Sequence, residues 1–210
     1  MAFLSVIMMI TIRVSKPGVL FLIAALAVSI FSYEPVLTLS GDLTVPTVPD
    51  ISFSSATPLQ NNGENLYLDE EEITILEQYV FQFLNMERVN NGLPPLIWDD
   101  QLAEAARMHS TDMAERDYLS HYSPEGEGVE NRLNKVGYRF SVAGENIFEA
   151  TYLENREPSE LAKIIITGWM ESKGHRFNIL NGAYQECGVG IVYDQDTHRI
   201  IVTAVFASPF

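Results

Sequence analysis

The hydrophobic period of this chain changes once, late, and that change limits what the chain can fold into. Between about Ile73 and Leu180 the apolar residues recur at helical spacing, first through Ile73, Leu76, Val80, Phe83, Leu84 and Val89. After Gly188 the pattern turns extended: Val189, Ile191 and Tyr193 alternate, Asp194–Thr197 is polar turn material, and Ile200–Phe206 is apolar and β-branched. This tail predicts an antiparallel hairpin packed beneath helices. Helices followed by strands, with no repeated βαβ unit and no internal repeat, define an α+β chain, best drawn as a three-layer α/β/α sandwich with a small antiparallel sheet.

The helices carry their own boundary signals. Asp69 followed by Glu72 predicts a reciprocal N-cap with acids in the first turn, and Asn90-Asn91-Gly92 predicts its end. Leu93-Pro94-Pro95-Leu96 must be extended. Asp99 or Asp100 can cap a second helix reaching about Arg116, with Leu102, Ala105, Ala106, His109 and Met113 on one face. His109 on that apolar stripe reads as a buried, hydrogen-bonded core histidine in preference to a ligand. Tyr118–Pro124 reads as a loop and Asn131–Gly137 as a short helix. Pro158 suits the first turn of another helix, whose buried side would be Leu161, Ile164, Ile165, Gly168 and Trp169 and which leads into Gly168–Leu180.

Composition divides the 210 residues into three parts. Residues 1–31 read as a signal peptide or N-terminal membrane anchor: Arg13 and Lys16 precede the uncharged apolar run Gly18–Phe31, short for a membrane span, and no small-x-small cleavage site follows. Residues 32–68, rich in polar residues and Pro and lacking Lys and Arg, read as a disordered acidic linker. Residues 69–210 read as the single folded domain. The expectation is therefore a secreted chain, or one anchored to the outer face of a membrane through an uncleaved N-terminal segment. The net charge of −15, with 13 scattered basic residues, argues against a nucleic-acid partner. One cysteine, Cys187, excludes an intrachain disulfide, and beside Glu186 it reads as a buried apolar residue, not a thiolate.

Three residues stand out as chemistry-bearing: His121, Glu145 and His175. All three are expected at polar loop or element-end positions beside glycine or proline. Two imidazoles and a carboxylate suit a divalent cation such as zinc with one position left open, although no compact HExxH or CxxC spacing is present. The same groups could serve as general acid and base, with Glu145 orienting an imidazole. Each also has a structural reading: His121 capping its loop, His175 fixing a helix start after Gly174, Glu145 held by backbone amides. There is no GxSxG elbow or phosphate-binding glycine loop, and Gly188-Val189-Gly190 reads as a strand entry. His198 is expected to face solvent in the hairpin turn, while Trp98 and Trp169 read as core.

The segment from about Leu84 to Phe206 resembles the CAP superfamily of cysteine-rich secretory proteins, antigen 5 and pathogenesis-related 1 proteins, also called the SCP domain. The matching words are Leu84-Asn85 with Arg88, Ala106 with His109-Ser110, Ser120-His121 with Ser123-Pro124, Gly144-Glu145-Asn146-Ile147, Trp169-Met170, Gly174-His175-Arg176 with Asn178-Ile179-Leu180, and Gly188-Val189-Gly190. The short, cysteine-poor form and the GHRxNIL wording resemble the bacterial branch. The resemblance implies an α/β/α sandwich, secretion, and a shallow cleft in which His121, His175 and Glu145 take the family's His and Glu positions. The family's second acid falls at Ser172, with Glu171 one position early and about 100° away on a helix. Divalent-cation, lipid and glycan binding, and in a few members proteolysis, are associated with the family, so no reaction follows from the fold. The expectation is a binding module for a small-molecule, lipid, glycan or protein ligand. The alternative is a peptidase-like extracellular hydrolase using the same histidines.

Overall fold

The computed structural model describes residues 68–151 and 156–210; the expected export segment and nearly all of the expected linker lie outside the described residues. The elements are α1 (Glu70–Asn90), β1 (Ile97–Trp98), α2 (Asp100–Glu115), α3 (Val129–Lys135), β2 (Phe140–Thr151), α4 (Pro158–Glu171), α5 (Lys173–Ile179), β3 (Glu186–Asp194) and β4 (Arg199–Pro209). The local signals read from the sequence act as expected. Asp69 and Glu72 form the reciprocal cap of α1, Asp99 caps α2, and Pro158 opens α4. Gly92 and Gly137, with φ of 77° and 78°, take the left-handed conformation after α1 and α3. Leu68, assigned by composition to the linker, is instead buried in the core beneath α1.

The four strands lie in the order β1-β3-β4-β2. The predicted hairpin, β3 with β4, forms its centre; short β1 pairs with β3 in parallel, and β2 runs antiparallel along β4. Cys187, Val189, Ile191, Ile200, Val202, Ala204 and Phe206 project from the hairpin into one core shared with α1 and α4. Val205 and Ala207 project the other way, into a smaller core with α2, Leu133 and Tyr138. Alternation along fully buried strands thus makes two cores and three layers, α/β/α.

The two layers are joined to the sheet by different means. Against β3, the backbone of α2 comes so near that a Cβ on Gly188 would lie 2.0 Å from Ala103 N, and one on Gly190 2.1 Å from Arg107 N. Gly188-Val189-Gly190 is therefore a seat for a helix, not merely a strand entry. On the α1 side, two buried charged residues bind backbone. Glu77 accepts from Ile191 N at 3.1 Å and pairs with Arg107 of α2, so one carboxylate ties three elements. Arg88 is fully buried and donates to the carbonyls of Pro94 at 3.0 Å, Ile179 at 2.7 Å and Asn181 at 2.9 Å. The last turn of α1 therefore points Arg88 inward and leaves Val89, expected in the core, exposed. In α4 the expected face is rotated slightly: Ile166 is buried and Ile164 only half-buried.

Helix backbone cannot retreat from an inserted methyl as a flexible side chain can. Gly188→Ala or Gly190→Ala should therefore destabilise the domain by about 3 kcal/mol, near the upper range for overpacking. Gly182→Ala, whose Cβ would meet Leu93 Cδ2 at an ordinary 3.7 Å, should leave stability within about 0.5 kcal/mol of the parent. Denaturant midpoints of the three variants check both expectations.

Candidate functional site

Glu145 does not lie in a loop. It sits mid-strand in β2, with its side chain only 3% exposed on the face toward α2 and α3. Its carboxylate accepts from His121 Nδ1 at 2.9 Å through Oε1 and from Arg132 Nη2 at 2.7 Å through Oε2. A carboxylate only accepts, so the His121 proton that meets it is on Nδ1, and in the neutral ring the lone pair is then on Nε2; its side chain is half-exposed. Arg132, buried in α3, also donates to the carbonyls of Glu127 at 3.1 Å and His121 at 3.2 Å, fixing the loop that carries the imidazole.

His109 belongs to the same group of side chains, buried as expected but close to the chemistry. Its Nε2 donates to Ser120 O at 2.9 Å and stands 3.7 Å from Glu145 Oε1. Burial holds the His109 pKa below the ordinary value, with Arg132 adding to the effect and Glu145 opposing it.

β2 is an edge strand, and α5 closes on that edge from beyond it. Asn178 donates through Nδ2 to Glu145 O at 3.0 Å and to Asn146 Oδ1 at 2.9 Å, and Asn146 Nδ2 donates to His175 O at 3.1 Å. Trp169, fully buried, donates to Ile147 O at 3.1 Å. The glycine before Glu145 is needed by this closeness, since a Cβ on Gly144 would meet Tyr184 Oη at 2.2 Å. His175 is half-buried, and among the described residues its enclosed Nδ1 has no hydrogen-bond partner. Burial lowers the His175 pKa, and the neighbouring His121 lowers it further, so the two imidazoles are near enough for charge on one to disfavour charge on the other. The three residues singled out in the sequence thus gather along one sheet edge, His121 against the side chain of Glu145 and His175 tied to the β2 backbone by two asparagines.

The other candidates fall elsewhere. Ser123 Oγ accepts from the backbone of Glu125 and Glu127 and serves its own turn. Glu171 is exposed at the end of α4, and Ser172 marks the break before α5. Cys187 is completely buried, which pushes its thiol pKa far up. Trp98 is half-buried, packing edge-on against Phe81. His198, expected in solvent, is half-buried with Nδ1 2.9 Å from Tyr193 Oη. Sequence reasoning gave Arg132 no role, because its partner lies on another element and nothing local marks it.

For a divalent cation the donor set fits in part. Both Glu145 oxygens are engaged and buried, so toward a cation the carboxylate would serve only as an outer partner fixing an imidazole, and ring nitrogens of His121 and His175 would be the direct donors. Among the described residues no group of three or more His, Cys, Asp and Glu side chains is arranged to hold a metal ion.

The mixed α/β/α fold is shared with solved SCP-domain proteins. A model of the cysteine-rich secretory protein family, CAP, matches residues 81–206, and the chain belongs to that family. It is 36% identical over 120 residues to the uncharacterized protein YkwD of Bacillus subtilis, covering 57% of this chain and 44% of that one. To the uncharacterized membrane protein YlbC of the same organism it is 37% identical over 118 residues, covering 56% and 32%. The chain therefore matches less than half the length of these curated relatives. Among solved structures, an extracellular SCP-domain protein from Bacillus anthracis superposes with a TM-score of 0.55 at 33% identity, over 67% of this chain and 44% of that one. An outer surface protein of Borrelia burgdorferi shares the fold, with a TM-score of 0.57 at 18% identity over 68% and 97%. The resemblance to bacterial members is borne out.

The two depressed imidazoles set the sign of the pH response. Below the ordinary histidine value of 6.5 the unfolded chain takes up protons at positions 109 and 175 that the folded domain resists. Their contribution is complete above that value and is lost as pH falls toward the lower folded values. Thermal melts should show Tm falling by a few degrees between about pH 7 and pH 5, and His175→Gln should flatten the slope. A Tm that rises on acidification contradicts this.

Proposed function

We propose that this chain is an exported CAP-family binding module, secreted or tethered to the outer face of a membrane, whose cleft between His121 and His175 takes a small or lipid-like ligand and can hold a divalent cation such as zinc. In this reading residues 1–31 direct export or anchor the chain, 32–68 act as a spacer, and 69–210 bind. The observation that carries it is the saturated carboxylate: with Arg132 on one oxygen and His121 Nδ1 on the other, Glu145 holds a half-exposed imidazole in one tautomer, its Nε2 lone pair available. That is the outer-sphere arrangement by which carboxylates orient histidine ligands. Exposed Tyr122 and Phe177, next to His121 and two residues from His175, add apolar surface for a ligand. Export is supported by the apolar run Gly18–Phe31 and by the likeness to an extracellular Bacillus protein.

Hydrolysis is the second reading, favoured by one observation: an imidazole hydrogen-bonded to a buried carboxylate is also how a general base is oriented. Against it, among the described residues the serines beside His121 accept backbone N–H groups and the one cysteine is sealed in the core, so neither is an activated nucleophile.

Titration calorimetry with zinc near neutral pH should show one site per chain, weakened at least tenfold by His121→Ala or His175→Ala and weakened by acidification as imidazole lone pairs are protonated. No zinc binding by the parent protein overturns the cation reading. Turnover of a peptide library that disappears in His175→Ala would put hydrolysis first.

A further inference from the structure

The dipeptide Asn-Gly occurs in the chain at Asn62-Gly63, Asn91-Gly92 and Asn181-Gly182, the first of these outside the described residues. Such a pair can react with itself, because glycine brings no side chain to shield its own peptide nitrogen from the preceding amide. Two conditions apply: the nitrogen must be free, and the amide must lie over it. At Asn91 neither is met. Gly92 N–H donates to Val89 O at 3.0 Å, and the side-chain amide is drawn back along α1, its Nδ2 donating to Glu87 O at 2.8 Å.

At Asn181 both are met. The residue opens the turn between α5 and β3, where its carbonyl accepts from Tyr184 N at 3.4 Å and its Oδ1 from Ala183 N at 3.0 Å. The second bond is an Asx turn, which folds the side-chain amide forward over the Gly182 peptide. Among the described residues Gly182 N–H has no hydrogen-bond partner, and the glycine is exposed to water. Arg88 adds a charge. Its guanidinium donates to Asn181 O at 2.9 Å, the carbonyl of the same peptide whose nitrogen must lose a proton. Among the described residues Arg88 is met by the carbonyls of Pro94, Ile179, Asn181 and Tyr184 and by no carboxylate, so nothing beside it neutralises that charge. A cation on the peptide oxygen stabilises the deprotonated nitrogen, and Ala183 N–H stabilises the negative charge that develops on Oδ1 during attack.

We propose that Asn181 is a self-modification site, at which the folded domain converts its own asparagine to aspartate and isoaspartate with water as the only co-reactant. Solvent base takes the Gly182 N–H proton, the nitrogen bonds to Asn181 Cγ, and the Cγ–Nδ2 bond breaks with Nδ2 leaving as ammonia. The cyclic imide then adds water. Opening at Cγ gives aspartate, and opening at the Asn181 main-chain carbonyl carbon gives isoaspartate. In the isoaspartate the carbonyl that Arg88 held becomes a free carboxylate, and the main chain gains one carbon between α5 and β3. The turn that seats the histidine-bearing helix α5 is therefore rebuilt by the reaction, and Arg88 both holds that turn and activates it.

The test incubates the full-length protein at neutral pH over several weeks and follows each asparagine by peptide mass spectrometry, with chromatography separating aspartate from isoaspartate. In the folded protein Asn181 should convert at least about tenfold faster than Asn91, the factor that one charge-assisted hydrogen bond on the reacting peptide supplies. In the chain unfolded by guanidinium the two rates should become comparable. Gly182→Ala should slow conversion at Asn181 at least about tenfold while the melting curve stays that of the parent, because its methyl shields the attacking nitrogen and meets only ordinary contacts. Amide hydrogen exchange reads the same difference without the covalent step: Gly182 N–H should exchange freely and Gly92 N–H should be protected. Equal conversion at the two sites in the folded protein, Asn91 ahead of Asn181, a ratio that persists after unfolding, no conversion at either site, or a protected Gly182 N–H would each overturn the proposal. The reaction involves no cation or ligand, so its outcome and that of the zinc titration are independent.

Discussion

The carboxylate of Glu145 is the point at which separate pieces of chain are forced to meet. A charge enclosed in a protein interior is costly unless paired and hydrogen-bonded, and this one is satisfied by a guanidinium from α3 and an imidazole from the loop after α2. Those two donors are themselves fixed, for Arg132 holds the carbonyls of Glu127 and His121. The loop from 116 to 128 carries no regular strand or helix; the Arg116–Glu125 pair and Ser123 hold its turn, and Arg132 and His121 tie it to this acid. The bond that compensates the buried charge also orients the exposed ring, placing Nδ1 of His121 toward Glu145.

That arrangement depends on the sandwich being thin where α2 meets the sheet. Without side chains at Gly188 and Gly190 the helix backbone rests directly on β3, which brings His109 within reach of β2 on the same face. On the opposite side of the edge strand the same logic runs through amides. Asn146 and Asn178 bond to each other and to backbone, taking up the free carbonyl of Glu145 and seating α5 with its histidine. An edge strand usually exposes unpaired backbone groups; here that edge is occupied by α5.

Much of this was legible in the sequence because much of it is local. The caps at Asp69 and Asp99, the proline at the head of α4, and the glycines ending α1 and α3 act through neighbours three or four residues away, and the terminal hairpin shows itself by alternation. His121 and His175 were identifiable from residue type and motif. What escaped is held together only in three dimensions. Glu145 reads as a loop or element-end residue beside Gly144, yet the pairing of β2 with β4 from Phe140↔Pro209 to Thr151↔Arg199 places it mid-strand. Arg132 is an ordinary arginine in a seven-residue helix until Glu145 is placed beside it. Glu77 and Arg88 interrupt the apolar face of α1 with charges whose partners, the Arg107 side chain and backbone groups, are distant in sequence, and Val89 lies at the surface.

The central claim, that a buried carboxylate presets an exposed imidazole, is tested most directly by the ring nitrogen shifts of His121 in a long-range ¹H–¹⁵N spectrum at neutral pH. The account predicts a protonated Nδ1 and a bare Nε2, with the Nδ1 proton slowed in exchange by its bond to Glu145. A ring protonated on Nε2, or one averaging between tautomers as free imidazole does, would contradict it.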